Sequence, residues 1–516
     1  MTANGSTSDV LVSTTHGTLR GTTDGSVARF LGVPFAAAPV GDLRFRPPAP
    51  FPAWDGVREA VETGPVCPQN PSLMDALFGG EAEQWDEDCL FLNVWTPSAL
   101  PDPATPLPVM VWIHGGGFEM GSGSSPLYNG THFAASGVVL VTLNYRLGAL
   151  GFLELGGVDP AYTGSGNVGL LDQIAALEWV RDNIANFGGD PSNVTVFGQS
   201  AGAMSVSLLL SMPRARGLFQ KAIAQSGAAE AARTIDDANA DAEEFFELGG
   251  WSSVDDVRSA PVGALLAAHQ AMAGARFADP EAFMHRAGNP LAFLSFRPVA
   301  DGRDVPLHPL AEIAAGAAQG VSLLCGTTSE EWKLFAMMTP PAADEAGLRQ
   351  RLAAVTPDPD ATIAAYRLEH PEASLGDLEG AVLTDLVFRM PANRLIDAQR
   401  THAPTFQYLW TWRSNALGGM IGAAHAIEIP FVFDLVEDHR LHVFVGPDAP
   451  GTLAACTNAA WIAFAATGRP AADGLPSWPA IGDEERPVMI LDETAELAAD
   501  PGGSTRAFWL ALSTTA

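Results

Sequence analysis

The chain has 516 residues and carries 28 basic against 59 acidic side chains, a formal net charge of −31. That excess of acid argues against nucleic acid or an anionic membrane as a partner, and no apolar run is long enough to span a bilayer. The polar residues 1–13 lack the basic and apolar regions of a secretory signal, so a cytoplasmic location is expected.

In chain order, the first element that bears on chemistry is the strand-like run Val109-Met110-Val111-Trp112-Ile113, which enters His114-Gly115-Gly116-Gly117-Phe118. Consecutive glycines beside a buried strand cost conformational entropy and add no packing, so their backbone N–H groups are expected to approach a ligand closely. In acyl transfer the carbonyl oxygen becomes an oxyanion, and each fixed N–H donor there lowers the barrier by about 3–4 kcal/mol. Gly116 and Gly117 are candidates for two such donors.

A second apolar run, Val194-Thr195-Val196-Phe197, leads into Gly198-Gln199-Ser200-Ala201-Gly202, and residues 203–212 read as a helix. A serine between glycines at a strand-to-helix turn is the layout of a nucleophile elbow. The turn predicts a strained backbone at Ser200, with Gly198 and Gly202 letting strand and helix pass. It also aims the N–H of Ala201 at the reacting atom, making Ala201 the third candidate donor.

Core elements run from about residue 10 to 225 and resume near 320. Between them lies an Ala-rich, mostly helical stretch at 228–315, and another follows at 342–400. No linker, repeat or low-complexity block interrupts the chain, so residues 1–516 read as one domain whose insertions roof the site. Phe277, Phe283, Met284, Phe293, Phe335 and Met337 are candidates for an apolar lining of that roof.

A serine hydroxyl needs a base, and the base needs a carboxylate to orient it. The strand-like Val321-Ser322-Leu323-Leu324-Cys325-Gly326 ends in Thr327-Thr328-Ser329-Glu330-Glu331. One of the two adjacent carboxylates must point inward while the other is solvated, and the residues alone do not choose between them. Of 11 histidines, four lie late enough to serve as the base. His402 precedes the strand-like 406–412 and sits at its wrong end, while His439 and His442 flank a charged, solvated segment. His425 follows that strand through Gly422-Ala423-Ala424, at the C-terminal edge where sites in parallel sheets gather, and is favoured.

These residues resemble the type-B carboxylesterase family, which includes bacterial para-nitrobenzyl esterases, liver carboxylesterases and cholinesterases. Further landmarks cover nearly the whole chain: Phe30-Leu31-Gly32-Val33-Pro34-Phe35, Leu43-Arg44-Phe45, Glu87-Asp88-Cys89-Leu90-Phe91-Leu92-Asn93-Val94 and Asn144-Tyr145-Arg146-Leu147-Gly148. They continue through Gly169-Leu170-Leu171-Asp172-Gln173, Phe187-Gly188-Gly189-Asp190-Pro191, Gln225-Ser226-Gly227 and His425-Ala426-Ile427-Glu428-Ile429-Pro430-Phe431. The resemblance implies an α/β-hydrolase fold: a central, mostly parallel sheet flanked by helices, with helical insertions capping an active-site gorge. It implies hydrolysis of carboxylic esters through an acyl-enzyme, by a triad of Ser200, Glu331 and His425 with Gly116, Gly117 and Ala201 as oxyanion hole. By matching Gly-Thr-Thr-x-(Asp/Glu)-Glu it selects Glu331 over Glu330, and it puts Ser226 behind the triad, where it is expected to help orient the acid. Binding members of the fold without activity typically lose the nucleophile; this chain keeps it.

Two residues depart from the family pattern. Gln199 stands where Glu usually precedes the nucleophile, which removes a negative charge from beside His425. Glu119 stands where an aromatic or neutral residue is more common; it either places a carboxylate near the gorge wall or points to solvent, and solvent is slightly favoured. Cys67 and Cys89 match a pair that is disulfide-bonded in secreted relatives; in a reducing cytoplasm they are expected as thiols. Cys325 and Cys456 lie in apolar surroundings and read as structural. No cluster has metal-ligand spacing, and the glycine-rich turns lack the Lys-Ser/Thr of a phosphate loop, so neither metal nor cofactor is expected. The expected partner is a small-molecule ester, neutral or cationic in preference to anionic, acted on by a monomer or weak homo-oligomer.

Overall fold

The computed structural model describes residues 8–72, 84–98, 104–278, 291, 294–337 and 341–513. Thirteen strands in this part join in one sheet: β1 (Ser8–Ser13), β2 (Thr18–Thr23), β3 (Val27–Pro34), β4 (Val57–Glu59), β5 (Phe91–Pro97), β6 (Leu107–Ile113), β7 (Val139–Leu143), β8 (Gly189–Gln199), β9 (Lys221–Gln225), β10 (Ser322–Thr328), β11 (Thr405–Trp410), β12 (Pro487–Leu491) and β13 (Glu496–Ala499). Their order is β1-β2-β3-β5-β7-β6-β8-β9-β10-β11-β12-β13, with β4 beside β2. From β7 to β12 every neighbouring pair is parallel. The pairs from β1 to β7 along this order, and β12 with β13, are antiparallel, while β4 pairs with β2 in parallel.

Continuous apolar strands need cover on both faces, and period-two alternation divides their side chains between two cores. Val109, Val111 and Ile113 of β6 point to the core shared with helices Val168–Asn183 and Ala201–Leu209. Met110 and Trp112 point the other way, where Trp112 packs on Tyr128, Phe197 and Phe433 beneath helix Gly451–Thr467. This is the α/β-hydrolase arrangement. Inside the first core the landmark residues Arg146 and Asp172 form a wholly buried two-pronged ion pair, at 2.8 and 2.6 Å. Its paired geometry offsets the cost of dehydrating both charges.

The stretch 228–315 holds helices Ile235–Gly249, Val254–Ser259, Val262–Ala278 and Pro309–Ala314. The stretch 342–400 holds Glu345–Leu352, Pro359–Glu369, Leu375–Thr384 and Met390–Gln399, with a π-helical turn at Asp385–Arg389. Among the described residues no helix is long and apolar enough to cross a membrane.

Candidate active site

The C-terminal ends of β6, β8, β10 and β11 bring the candidate residues to one edge of the sheet. β8 runs to Gln199 and the next helix begins at Ala201, so Ser200 alone makes the turn. The strand is longer than the four-residue run expected, and the helix starts two residues earlier. Ser200 has φ 57° and ψ −126°, a conformation that costs energy and persists because its surroundings impose it. Its N–H donates to the carbonyl of Gln225 at 2.9 Å. At Gly202 an added Cβ would stand 2.0 Å from the carbonyl oxygen of Ile113, so the helix crosses β6 at backbone contact.

Gly116 and Gly117 both have positive φ, +110° and +63°, and among the described residues their N–H groups find no acceptor. The loop that carries them is held from behind. Nδ1 of His114 is 2.8 Å from the Gly115 carbonyl, and the His114 ring stacks on Tyr145. Burial pushes the His114 imidazole down to about 4, so it is neutral near pH 7 and Nδ1 donates. Gln69 clasps Gly121 from both sides, accepting from its N–H at 2.7 Å and donating to its carbonyl at 3.1 Å.

Glu331 is fully buried. Its Oε1 accepts from the N–H of Thr328 at 2.7 Å, and its Oε2 lies 2.6 Å from Nδ1 of His425. That contact fixes the proton on Nδ1 and leaves Nε2 free to accept. The His425 ring packs against both Phe335 and Phe388, at centroid distances of 5.2 and 4.7 Å, and the two phenyl rings stack on each other at 6.0 Å. Phe388 comes from the π-helical turn of the second insertion. The Ser200 hydroxyl makes no hydrogen bond to His425 in this structure. The amide nitrogen of Gln199 is 3.1 Å from Nε2 and 3.5 Å from Nδ1. A group on the Nε2 lone-pair axis would stand about 5 Å from Nδ1, so the amide lies beside the ring and that axis stays open.

Glu330, the other carboxylate, is half-buried, and does more than face solvent. It accepts from the N–H of Ala423 at 2.9 Å and pairs with Arg413 at 2.8 Å, so it tethers the loop that carries His425. Ser226 corrects an expectation: among the described residues its hydroxyl has no hydrogen-bond partner, and Glu331 is held by Thr328 instead. Ser226 contributes backbone, with φ 55° and an N–H donating to Gly326. Glu119 corrects another. It is only half-buried, yet it turns inward: it accepts from the N–H groups of Ser295 and Phe296 and pairs with His269.

His402 binds the Ala314 carbonyl, and His439 is exposed, both away from the triad candidates. Cys67 and Cys89 are buried thiols in contact with each other, and the hydrogen bond to Cys67 together with burial raises the Cys89 thiol well above its ordinary value. Cys325 is buried; Cys456 is only half-buried. Phe283, Met284 and Phe293 lie outside the described residues, as does the side chain of Phe277; Met337 is exposed.

One group went unrecognised in the sequence. Glu428 is completely buried behind the triad candidates, with Oε1 accepting from Gln225 at 3.1 Å and Oε2 without a partner among the described residues. Burial, and then the charge of Glu331, push its carboxyl up to about 8. The signal was present in the landmarks around Gln225 and Glu428, to which no role was attached.

The carboxylesterase family model matches residues 8–509. The para-nitrobenzyl esterase of Bacillus subtilis (strain 168) is 39% identical over 96% of this chain and 97% of its own. The phenmedipham hydrolase of Pseudarthrobacter oxydans is 35% identical over 94% and 96%. A crystal structure of a Geobacillus stearothermophilus carboxylesterase superposes with a TM-score of 0.85 at 38% identity, covering 97% of this chain and 99% of that one. On fold, sequence and extent alike, the chain belongs to the carboxylesterase family and is a carboxylic ester hydrolase.

Proposed function

We propose that Ser200 is the nucleophile, His425 the general base, Glu331 its orienting acid, and the N–H groups of Gly116, Gly117 and Ala201 the oxyanion hole. The observation that carries this reading is the 2.6 Å contact from Glu331 to Nδ1 of His425 at the edge where Ser200 stands in its strained turn. Nε2 takes the Ser200 proton as Oγ attacks the ester carbonyl, and the oxyanion forms against the three N–H groups. His425 returns the proton to the departing alcohol, leaving an acyl-enzyme. Water, deprotonated by the same nitrogen, attacks that acyl group and releases the acid. The missing Ser200–His425 hydrogen bond is compatible with this route, because such bonds tighten in the substrate complex.

Phe335 and Phe388 beside His425 support apolar, uncharged ester substrates, in keeping with the para-nitrobenzyl group in the name of the Bacillus subtilis relative. A single domain in the cytoplasm is supported by the unbroken sheet and by four thiols with no disulfide among the described residues. The test is Ser200→Ala. Ester hydrolysis and labelling by an organophosphonate are both expected to vanish while the protein stays folded; undiminished labelling refutes the assignment.

A further inference from the structure

Glu119 lies two residues beyond the last of the three glycines. Its Oε1 receives three partners: the N–H of Ser295 at 2.8 Å, the N–H of Phe296 at 3.1 Å and Nε2 of His269 at 3.2 Å. These belong to two separate segments, the wall at 294–296 and the cap helix Val262–Ala278. His269 reaches the glycine loop a second time. Its ring lies against Gly148, where an added Cβ would stand 3.0 Å from Nδ1, and the Gly148 N–H donates to the Phe118 carbonyl at 2.7 Å. Leu294, next to the clamped Ser295, presses on Gly117, where an added Cβ would stand 3.0 Å from its Cδ2.

Burial works to raise the Glu119 carboxyl, but the charge of His269 and the N–H donors outweigh it and leave it lowered, so it stays ionised. A loop of glycines has no side chains of its own to lock its N–H groups, and a site displaced by a fraction of an ångström loses rate.

We propose that Glu119 is a positioning residue for ester hydrolysis, clamping the oxyanion loop to the cap helix and to the 294–296 wall so that the N–H groups of Gly116 and Gly117 stay aimed at the Ser200 reaction. This rests on the reading of those glycines as oxyanion donors. The Glu119–His269 pair makes the cap part of the catalytic geometry as well as a cover.

The experiment compares wild type, Glu119→Gln, Glu119→Ala, His269→Ala and the Glu119→Ala/His269→Ala double variant on p-nitrophenyl butyrate. Rates are normalised to serine titrated with an organophosphonate, and folding is followed by circular dichroism. Glu119→Gln keeps an acceptor for Ser295 and Phe296 but loses the charge facing His269, so kcat is expected to fall about 3–10-fold. Glu119→Ala is expected to fall about 30–100-fold, with KM within about threefold and the affinity for a trifluoromethyl ketone weakened in step with kcat/KM. The double variant loses no more than Glu119→Ala alone. Wild-type kcat in folded Glu119→Ala, a loss confined to KM, or additive losses would each overturn the clamp. If Glu119→Ala does not fold, an unchanged kcat in Glu119→Gln overturns it. Ser200→Ala separates the two failures. Activity surviving there overturns the site reading and the clamp with it, whereas activity lost there but intact in the Glu119 variants overturns the clamp alone.

Discussion

Replacing Glu428 with Gln tests the electrostatics behind the triad. The carboxyl is pushed up to about 8 by burial and by Glu331, from an ordinary 4.5. Between those two pH values the unfolded chain has released the proton and the folded protein still holds it. The stability contributed by this group is therefore fully present below 4.5 and is lost as the pH rises through about 8. At about 1.36 kcal/mol per unit, the gap between 4.5 and about 8 amounts to about 5 kcal/mol. Glutamine has no proton to lose and keeps an oxygen for the Gln225 amide, so Glu428→Gln escapes the loss. Unfolding entropy scales with length, and a chain of 516 residues converts 1 kcal/mol into about 1 °C. The melting temperature of the variant relative to wild type is expected to rise by about 4 °C between pH 5 and pH 8. Calorimetric scans of both proteins at pH 5, 6.5 and 8, at one scan rate because large chains often unfold irreversibly, measure it. A difference that stays constant with pH, or moves in favour of wild type as pH rises, refutes the claim that Glu428 is held neutral.

Two further substitutions probe His425 and its partners. Gln199→Glu places a carboxylate beside the imidazole, which favours the protonated form, so the acid limb of kcat/KM is expected to move up by about 1–3 pH units; a pH–rate profile with the limb unmoved or lowered contradicts it. Glu331→Gln is expected to lower kcat by about 10³–10⁴-fold, because an unoriented imidazole is a poor base. Glu330→Gln keeps an acceptor for the Ala423 N–H and is expected to stay within about threefold of wild type. Equal losses in the two, or the reverse order, would exchange their roles.

The features legible in the sequence were those imposed on the backbone locally. Three glycines after an apolar strand, and a serine between glycines before a helix, declare a close approach or a positive φ without reference to distant residues. Ser200 duly has φ 57°. Even so, the boundaries shifted, because the elbow spends one residue where the sequence reading allowed five. Glu119 was misread for the opposite reason. Its partner Ser295 is 176 residues away in sequence, and nothing near position 119 announces it. Phe388 was likewise invisible, since a π-helical turn has no pattern that marks it in advance. Ser226 shows the limit of resemblance: the position is where expected, but its backbone, not its hydroxyl, is engaged.

The backbone contact at Gly202 has a consequence for how this scaffold accepts change. With the Ile113 carbonyl 2.0 Å from any Cβ at that position, the crossing of strand and helix beneath the serine tolerates no drift. The rings of Phe335 and Phe388 belong to short helical turns that meet the site through side chains, where a swap first shifts neighbouring side chains. Saturation libraries at positions 198–202 should return mostly dead clones, while libraries at 335 and 388 should return clones that remain active with altered ester preferences. Selection can therefore retrain what the enzyme recognises without renegotiating how it cuts.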